Sequence, residues 1–80
     1  MTGKIKLQLN EVDYFCSKIN TLDSDVYAKD SEKTIDIKSL LSILTLNLSE
    51  EIIVYIDSEN KYELDAFKDI ITRYGGKIID

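Results

Sequence analysis

Hydrophobic and polar residues alternate along several stretches of the chain, and this two-residue period, together with an apolar run rich in isoleucine and valine at residues 52–56, predicts four β-strands. Alternation places every second side chain on one face of a strand, so each segment has one buried and one wet face. The predicted strands cover residues 4–9, 25–29, 34–37 and 52–56. Polar residues 30–32 separate the second strand from the third, which predicts a hairpin.

Apolar residues recur every three or four positions in three other stretches, and this spacing predicts helices. The predicted helices cover residues 11–21, 39–45 and 61–74. Asn60 stands where the last helix would begin, and asparagine is a favoured N-cap. The pair Gly75-Gly76 follows that helix and predicts its end, because glycine adopts the left-handed conformation that closes many helices.

The resulting order βαββαβα predicts an α+β domain with a four-stranded antiparallel sheet and three helices on one face. A ferredoxin-like arrangement is the alternative, but the short helix and the closing helix fit it less well. We expect one domain over residues 1–80, complete as it stands. The predicted core consists of Leu7, Leu9, Phe15, Ile19, Ile35, Val54, Ile56, Phe67 and Ile71.

Composition narrows the chemistry that the chain can perform. The 80 residues include no histidine and one cysteine, Cys16, and the net charge is −5. Without imidazole or paired cysteines we expect no catalytic residues, no metal site and no cofactor. The acidic balance argues against nucleic acid as a partner, and the apolar runs are too short for a membrane span. Cys16 lies on the apolar stripe of the first helix, so we expect it to pack in the core of a cytoplasmic protein.

The element order, together with the segment IDIKSLLSILTLNLS at residues 35–49, resembles HPr, the histidine-containing phosphocarrier family of the sugar phosphotransferase system. The similarity runs from about residue 16 to the last helix. Its most specific part is the Lys38-Ser39 pair that opens a leucine- and isoleucine-rich helix. The resemblance implies an HPr-like open-faced sandwich and a role connected with phosphotransferase-dependent sugar transport.

The chain departs from HPr at the site of phosphoryl transfer. In that family the loop between the first strand and the first helix carries a phosphorylated histidine, followed by an arginine and a proline. Here the loop is short and acidic, with Glu11 and Asp13, and Arg73 is the only arginine. The chain resembles a shortened HPr relative without the active-site histidine, and we expect it not to be an enzyme.

Ser39 is the polar residue with the strongest candidate role. A serine at a helix start accepts a backbone N–H and stabilises the helix by about 1 kcal/mol, which accounts for Ser39 without any further function. The resemblance implies a second role, because the matching serine of many HPr proteins is phosphorylated by a dedicated kinase. Ser39 is therefore a candidate regulatory phosphorylation site.

The short helix contains more apolar residues than one buried face requires. Either the helix is enclosed on all sides, or Leu40, Leu41 and Leu44 are exposed and form a partner contact, as the resemblance implies for the matching HPr positions. The partners would be other proteins, among them phosphotransferase-system components or an HPr kinase. The alternative function is a structural protein that forms a homodimer through the leucine-rich helix at 39–46.

Overall fold

The sheet of this protein has five strands, packed with three α-helices. The computed structural model describes all residues, Met1–Asp80. One turn of 3-10 helix, Leu9–Glu11, leads directly into the first α-helix. The elements in chain order are β1 (Thr2–Ile5), α1 (Val12–Ile19), β2 (Asp25–Lys29), β3 (Thr34–Asp36), α2 (Leu40–Ile43), β4 (Ile52–Asp57), α3 (Lys61–Arg73) and β5 (Lys77–Ile78).

All neighbouring strands are antiparallel, in the order β3-β2-β4-β1-β5. The predicted α+β class and antiparallel sheet are confirmed. A ferredoxin-like fold, which is also antiparallel, would place β1 beside β3 at the centre of the sheet, whereas here β2 and β4 are adjacent and β1 and β3 do not pair. Strand β4 lies between β2 and β1, so Tyr55 stands opposite Tyr27 on one side and Thr2 on the other.

One face of the sheet meets the helices and the other is uncovered. Ile52, Val54 and Ile56 of β4 are buried, whereas Tyr55 and Asp57, which point to the other face, are exposed. Buried residues of all three helices join the inward strand residues in a single core of 18 hydrophobic side chains, without any buried polar residue. This arrangement is the predicted one, with the helices on a single face.

The first predicted strand is too long, and the cause lies in its partner. Strand β1 ends at Ile5, opposite Ile52, where β4 begins. Beyond that pair no neighbour remains to accept its hydrogen bonds, so the chain leaves the sheet although its alternation continues. Leu7 still reaches the core, but Leu9 is 75% exposed and its assignment to the core was wrong.

The prediction of four strands was also wrong, because a fifth strand lies at one edge of the sheet. Strand β5 has two residues, too few for alternation to be visible, and it pairs with β1 through Lys77 and Ile78. Ile35 is partly buried against the core rather than enclosed, because β3 is the opposite edge strand. No helix combines the length and apolar composition needed to cross a membrane.

Candidate protein-interaction surface

Ser39 is the N-cap of α2 and is exposed to solvent. Its backbone is extended, and its Oγ accepts the backbone N–H of Ser42 at 3.3 Å. The backbone carbonyl of Ser39 accepts the N–H of Ile43 at 3.0 Å, which starts the helical hydrogen bonding. The capping position expected from the sequence is therefore confirmed, and the hydroxyl remains accessible.

The segment immediately before Ser39 is held by α1. The carbonyl of Lys38 accepts the side-chain N–H of Asn20 at 2.9 Å and faces the Sγ of Cys16 at 3.5 Å. Asn20 also donates to the Cys16 carbonyl at 2.9 Å, so its side chain joins the end of α1 to the start of α2. Two connections from one helix fix where α2 begins.

The Lys38 ammonium points away from Ser39 and towards the loop between α1 and β2. Its Nζ donates to the carbonyl of Leu22 at 2.6 Å. Although Lys38 precedes Ser39 in the chain, its charge is thus engaged by the loop between α1 and β2. Glu63 of α3 accepts the N–H groups of Asp23 and Ser24 in the same loop, and these hydrogen bonds, with Lys38 nearby, lower its pKa.

Cys16 has the surroundings of a structural thiol. It is 6% exposed, and burial is the main cause that raises its pKa. A thiol with a raised pKa is largely protonated near neutral pH, so it donates a weak hydrogen bond and is a poor nucleophile. Its position in the core agrees with the sequence-based expectation.

Helix α2 and its C-cap residue expose three leucines. Leu40, Leu41 and Leu44 are 37%, 78% and 49% exposed, and together we call them the leucine surface. Ile43 of the same helix is fully buried. Spacings of one and four residues place the three leucines on neighbouring sides of the helix, whereas Ile43 faces the sheet. The choice between an enclosed and an exposed helix is thereby decided in favour of exposure.

The segment that leaves α2 is anchored by Asp30, in the turn between β2 and β3. One carboxylate oxygen accepts the backbone N–H of Asn47, and the other accepts those of Glu32 and Lys33. These three hydrogen bonds, that to Asn47 first, lower the pKa of Asp30 to about 2. The leucine surface is thus fixed on both sides, by Asn20 before α2 and by Asp30 after it. Sequence reasoning did not identify either anchor.

The loop before α1 carries acidic and apolar groups. Glu11 accepts the backbone N–H of Gln8 at 2.9 Å, and Asp13 follows in the first turn of α1. Leu9 and Tyr14 are exposed by 75% and 68%. No arginine or lysine belongs to this turn, so its side chains offer no cation to an incoming phosphoryl group. No cluster of three or more potential metal-ligating side chains occurs in the structure.

Comparisons with known proteins identify the fold. No protein-family model matches the sequence, and no curated protein sequence matches it. Among solved structures, the crystal structure of HPr-C-His from Thermoanaerobacter tengcongensis is similar, with a TM-score of 0.72 and 18% sequence identity. The similarity covers 92% of this chain and 88% of that chain. The chain therefore has an HPr-like fold, as expected from the sequence.

Proposed function

We propose that this chain is a regulatory or protein-interaction domain related to the phosphoenolpyruvate-dependent sugar phosphotransferase system, without histidine phosphocarrier activity. The observation that carries the proposal is the leucine surface directly after an accessible Ser39. The domain acts in the cytoplasm, has no catalytic residues and needs no cofactor. Its partners are other proteins, with phosphotransferase-system components and an HPr kinase as the first candidates.

The absence of histidine supports the loss of phosphocarrier activity. No imidazole nitrogen is available to accept a phosphoryl group, and Glu11 and Asp13 occupy the loop before and at the start of α1. Carboxylates there repel a phosphate, which is normally held by cations or free backbone N–H groups. Incubation with phosphoenolpyruvate and enzyme I should leave the chain free of acid-labile phosphate. Such phosphate on the chain would contradict the proposal and point to an acyl phosphate.

The leucine surface has the properties of a preformed contact. Exposed leucines on one short helix lose water contact when a partner covers them, and this favours association. The hydrogen bonds of Asn20 and Asp30 hold the flanking segments in place, so little conformational entropy of the backbone is lost when a partner binds. The matching partner surface is apolar at its centre.

Phosphorylation of Ser39 would change the charge of this surface. The hydroxyl is exposed and accepts one backbone N–H, so a phosphate replaces a single hydrogen bond at an accessible position. About two negative charges would then stand beside Leu40 and Leu41. An acidic partner would be repelled, and an apolar partner would have to desolvate the phosphate, so Ser39 is proposed as the regulatory position of the domain.

Binding can be tested with Leu41→Glu and a matched control. The immobilised protein should retain one or more proteins from the native cytoplasm, and L41E should lose them. Tyr62→Glu is the control, because Tyr62 is exposed to a similar degree, 85% against 78% for Leu41, but belongs to α3. Equal retention by L41E and wild type would overturn the leucine surface as the contact.

Self-association through residues 39–46 remains the second candidate function, because exposed leucines also suit a symmetric contact. A homodimer of this kind would be disrupted by L41E in sedimentation equilibrium and unaffected by Y62E. This second function would be excluded if the leucine surface captured a different protein while wild type and L41E were both monomeric.

A further inference from the structure

The uncovered face of the sheet is ordered into three rows of side chains. Strand pairing places residues of neighbouring strands side by side, and each row runs across the strands. The first row contains Asp25 and Asp57, the second contains Asp36, Tyr27, Tyr55 and Thr2, and the third contains Thr34, Lys29, Ile53, Lys4 and Lys77.

Charge is separated along the direction of the strands. The first row carries only carboxylates, and the third row carries three lysines. Lys4 also has a carboxylate near it, Glu51, at 4.0 Å from its Nζ, so Lys29 and Lys77 are the unpaired cations of this row. The face is therefore acidic at one end, aromatic at its centre and basic at the other end.

The centre of the face is concave and apolar. A cavity of about 360 Å³ lies over the second and third rows, lined by Thr2, Tyr27, Ala28, Lys29, Thr34, Ile53 and Tyr55. Tyr27 and Tyr55 are 37% and 44% exposed, although they stand directly opposite each other. The pKa of Tyr27 is raised by Asp25 first, then by burial, and then by Asp57 and Asp36.

We propose that a second copy of this chain covers the uncovered face, so that two sheets stack with their charge gradients reversed. A two-fold axis parallel to the rows turns the acidic row of one copy onto the basic row of the other and leaves the tyrosine rows facing each other. Asp25 of one copy then meets Lys29 of its partner, because both residues belong to β2. Asp57 meets Ile53 on β4, and the two copies of Asp36 face each other at the edge, so the Asp25–Lys29 pairs carry the complementarity. A surface that carries opposite charges at its two ends is complementary to itself under this operation.

The size of the face sets the strength of the contact. Strands about 4.8 Å apart and side-chain rows about 7 Å apart give roughly 400 Å² on each copy. A stable interface buries about 800 Å² per partner, so we expect a weak dimer that forms at millimolar protein concentration. The contact leaves the leucine surface free, since α2 packs on the other face of the sheet. The inference is independent of the proposed function.

Reciprocal charge reversal tests the stacked dimer. Asp25→Lys and Lys29→Asp each place like charges opposite one another, and each variant alone should dimerise about tenfold more weakly than wild type in sedimentation equilibrium up to 2 mM. An equimolar mixture of D25K and K29D should recover dimers, because the introduced lysine of one chain then meets the introduced aspartate of the other. Circular dichroism checks that both exposed substitutions leave the fold intact.

Three outcomes would overturn the stacked dimer. One is a wild-type protein that stays monomeric at 2 mM. Another is a dimer unaffected by D25K and K29D. The third is a dimer lost in L41E, which would place self-association on the helix face. Retention of the dimer in L41E together with loss of the captured protein would separate this inference from the proposed function, because the two surfaces then act independently.

Discussion

One carboxylate oxygen of Asp30 accepts the backbone N–H of Asn47 at 3.0 Å, although the two residues are 17 positions apart. The bond joins the turn between β2 and β3 to the segment that leaves α2. The hydrogen bond from Asn20 to the Lys38 carbonyl has the same effect at the other end of α2. A helix of four residues cannot hold its own position, and these two side chains supply the missing anchorage.

Asp30 should make stability dependent on pH in the acid range. Its pKa of about 2 lies below the ordinary value of 3.8, so its stabilisation is complete above about pH 4 and is lost as the pH falls towards 2. Asp30→Asn leaves one acceptor oxygen, whereas both carboxylate oxygens accept hydrogen bonds in the wild type. The variant should therefore unfold at a lower urea concentration than wild type at pH 7. The difference should shrink between pH 4 and pH 2.

The control for Asp30 is Asp65→Asn, which removes one carboxylate from the exposed side of α3 without removing a hydrogen bond. Its urea midpoint should stay close to that of wild type at pH 7. A gap between D30N and wild type that is as large at pH 2 as at pH 7 would show that the charged hydrogen bonds of Asp30 do not stabilise the fold.

Asn20 should stabilise the fold through its donor groups. Asn20→Asp is nearly isosteric but places a carboxylate against the carbonyls of Cys16 and Lys38, so the free energy of unfolding should fall by about 2 kcal/mol. Asn10→Asp is the matched control, because Asn10 is exposed and its side chain makes no hydrogen bond within the chain. Chemical denaturation measures both. Equal effects of the two changes would contradict the role of Asn20.

Leu41 and Ile43 of α2 should differ in how much their substitution changes stability. Leu41→Glu introduces a charge at a position that is 78% exposed, and the free energy of unfolding should change by no more than about 0.5 kcal/mol. Ile43→Ala leaves a cavity at a fully buried position and should cost about 3 kcal/mol. Thermal unfolding of both variants distinguishes them. A large loss of stability in L41E would mean that α2 packs on more sides than the structure shows.

The two glycines after α3 should differ in how they tolerate alanine. A Cβ on Gly76 would lie 2.7 Å from the Lys4 carbonyl oxygen and 2.9 Å from Ile71, so Gly76→Ala should cost about 3 kcal/mol. Gly75 has a φ of +85° but open space around it, and Gly75→Ala should cost only about 1 kcal/mol. Urea denaturation of both variants would reveal the order, and a reversed order would contradict the close approach of Gly76 to β1.

Several elements follow from local physical chemistry and were therefore predictable. Strand β4 is a run of apolar, mostly β-branched residues, β2 has buried residues at alternate positions, and α3 has a regular apolar stripe with Asn60 as its N-cap. Ser39 is an N-cap because a short polar side chain at that position satisfies a free N–H of the helix. The lack of histidine is likewise a property of composition alone.

Other features depend on neighbours that are distant along the chain. Leu7 and Leu9 have the same local pattern, yet only Leu7 is buried, because β1 loses its partner after the pair of Ile5 and Ile52. Strand β5 exists because the edge of β1 accepts it, and two residues carry no period of their own. The sequence left the leucines of α2 open to either burial or exposure. Their exposure was decided by tertiary packing, since Ile43 and Leu46 already fill the contact of this segment with the core and no further element covers its outer side.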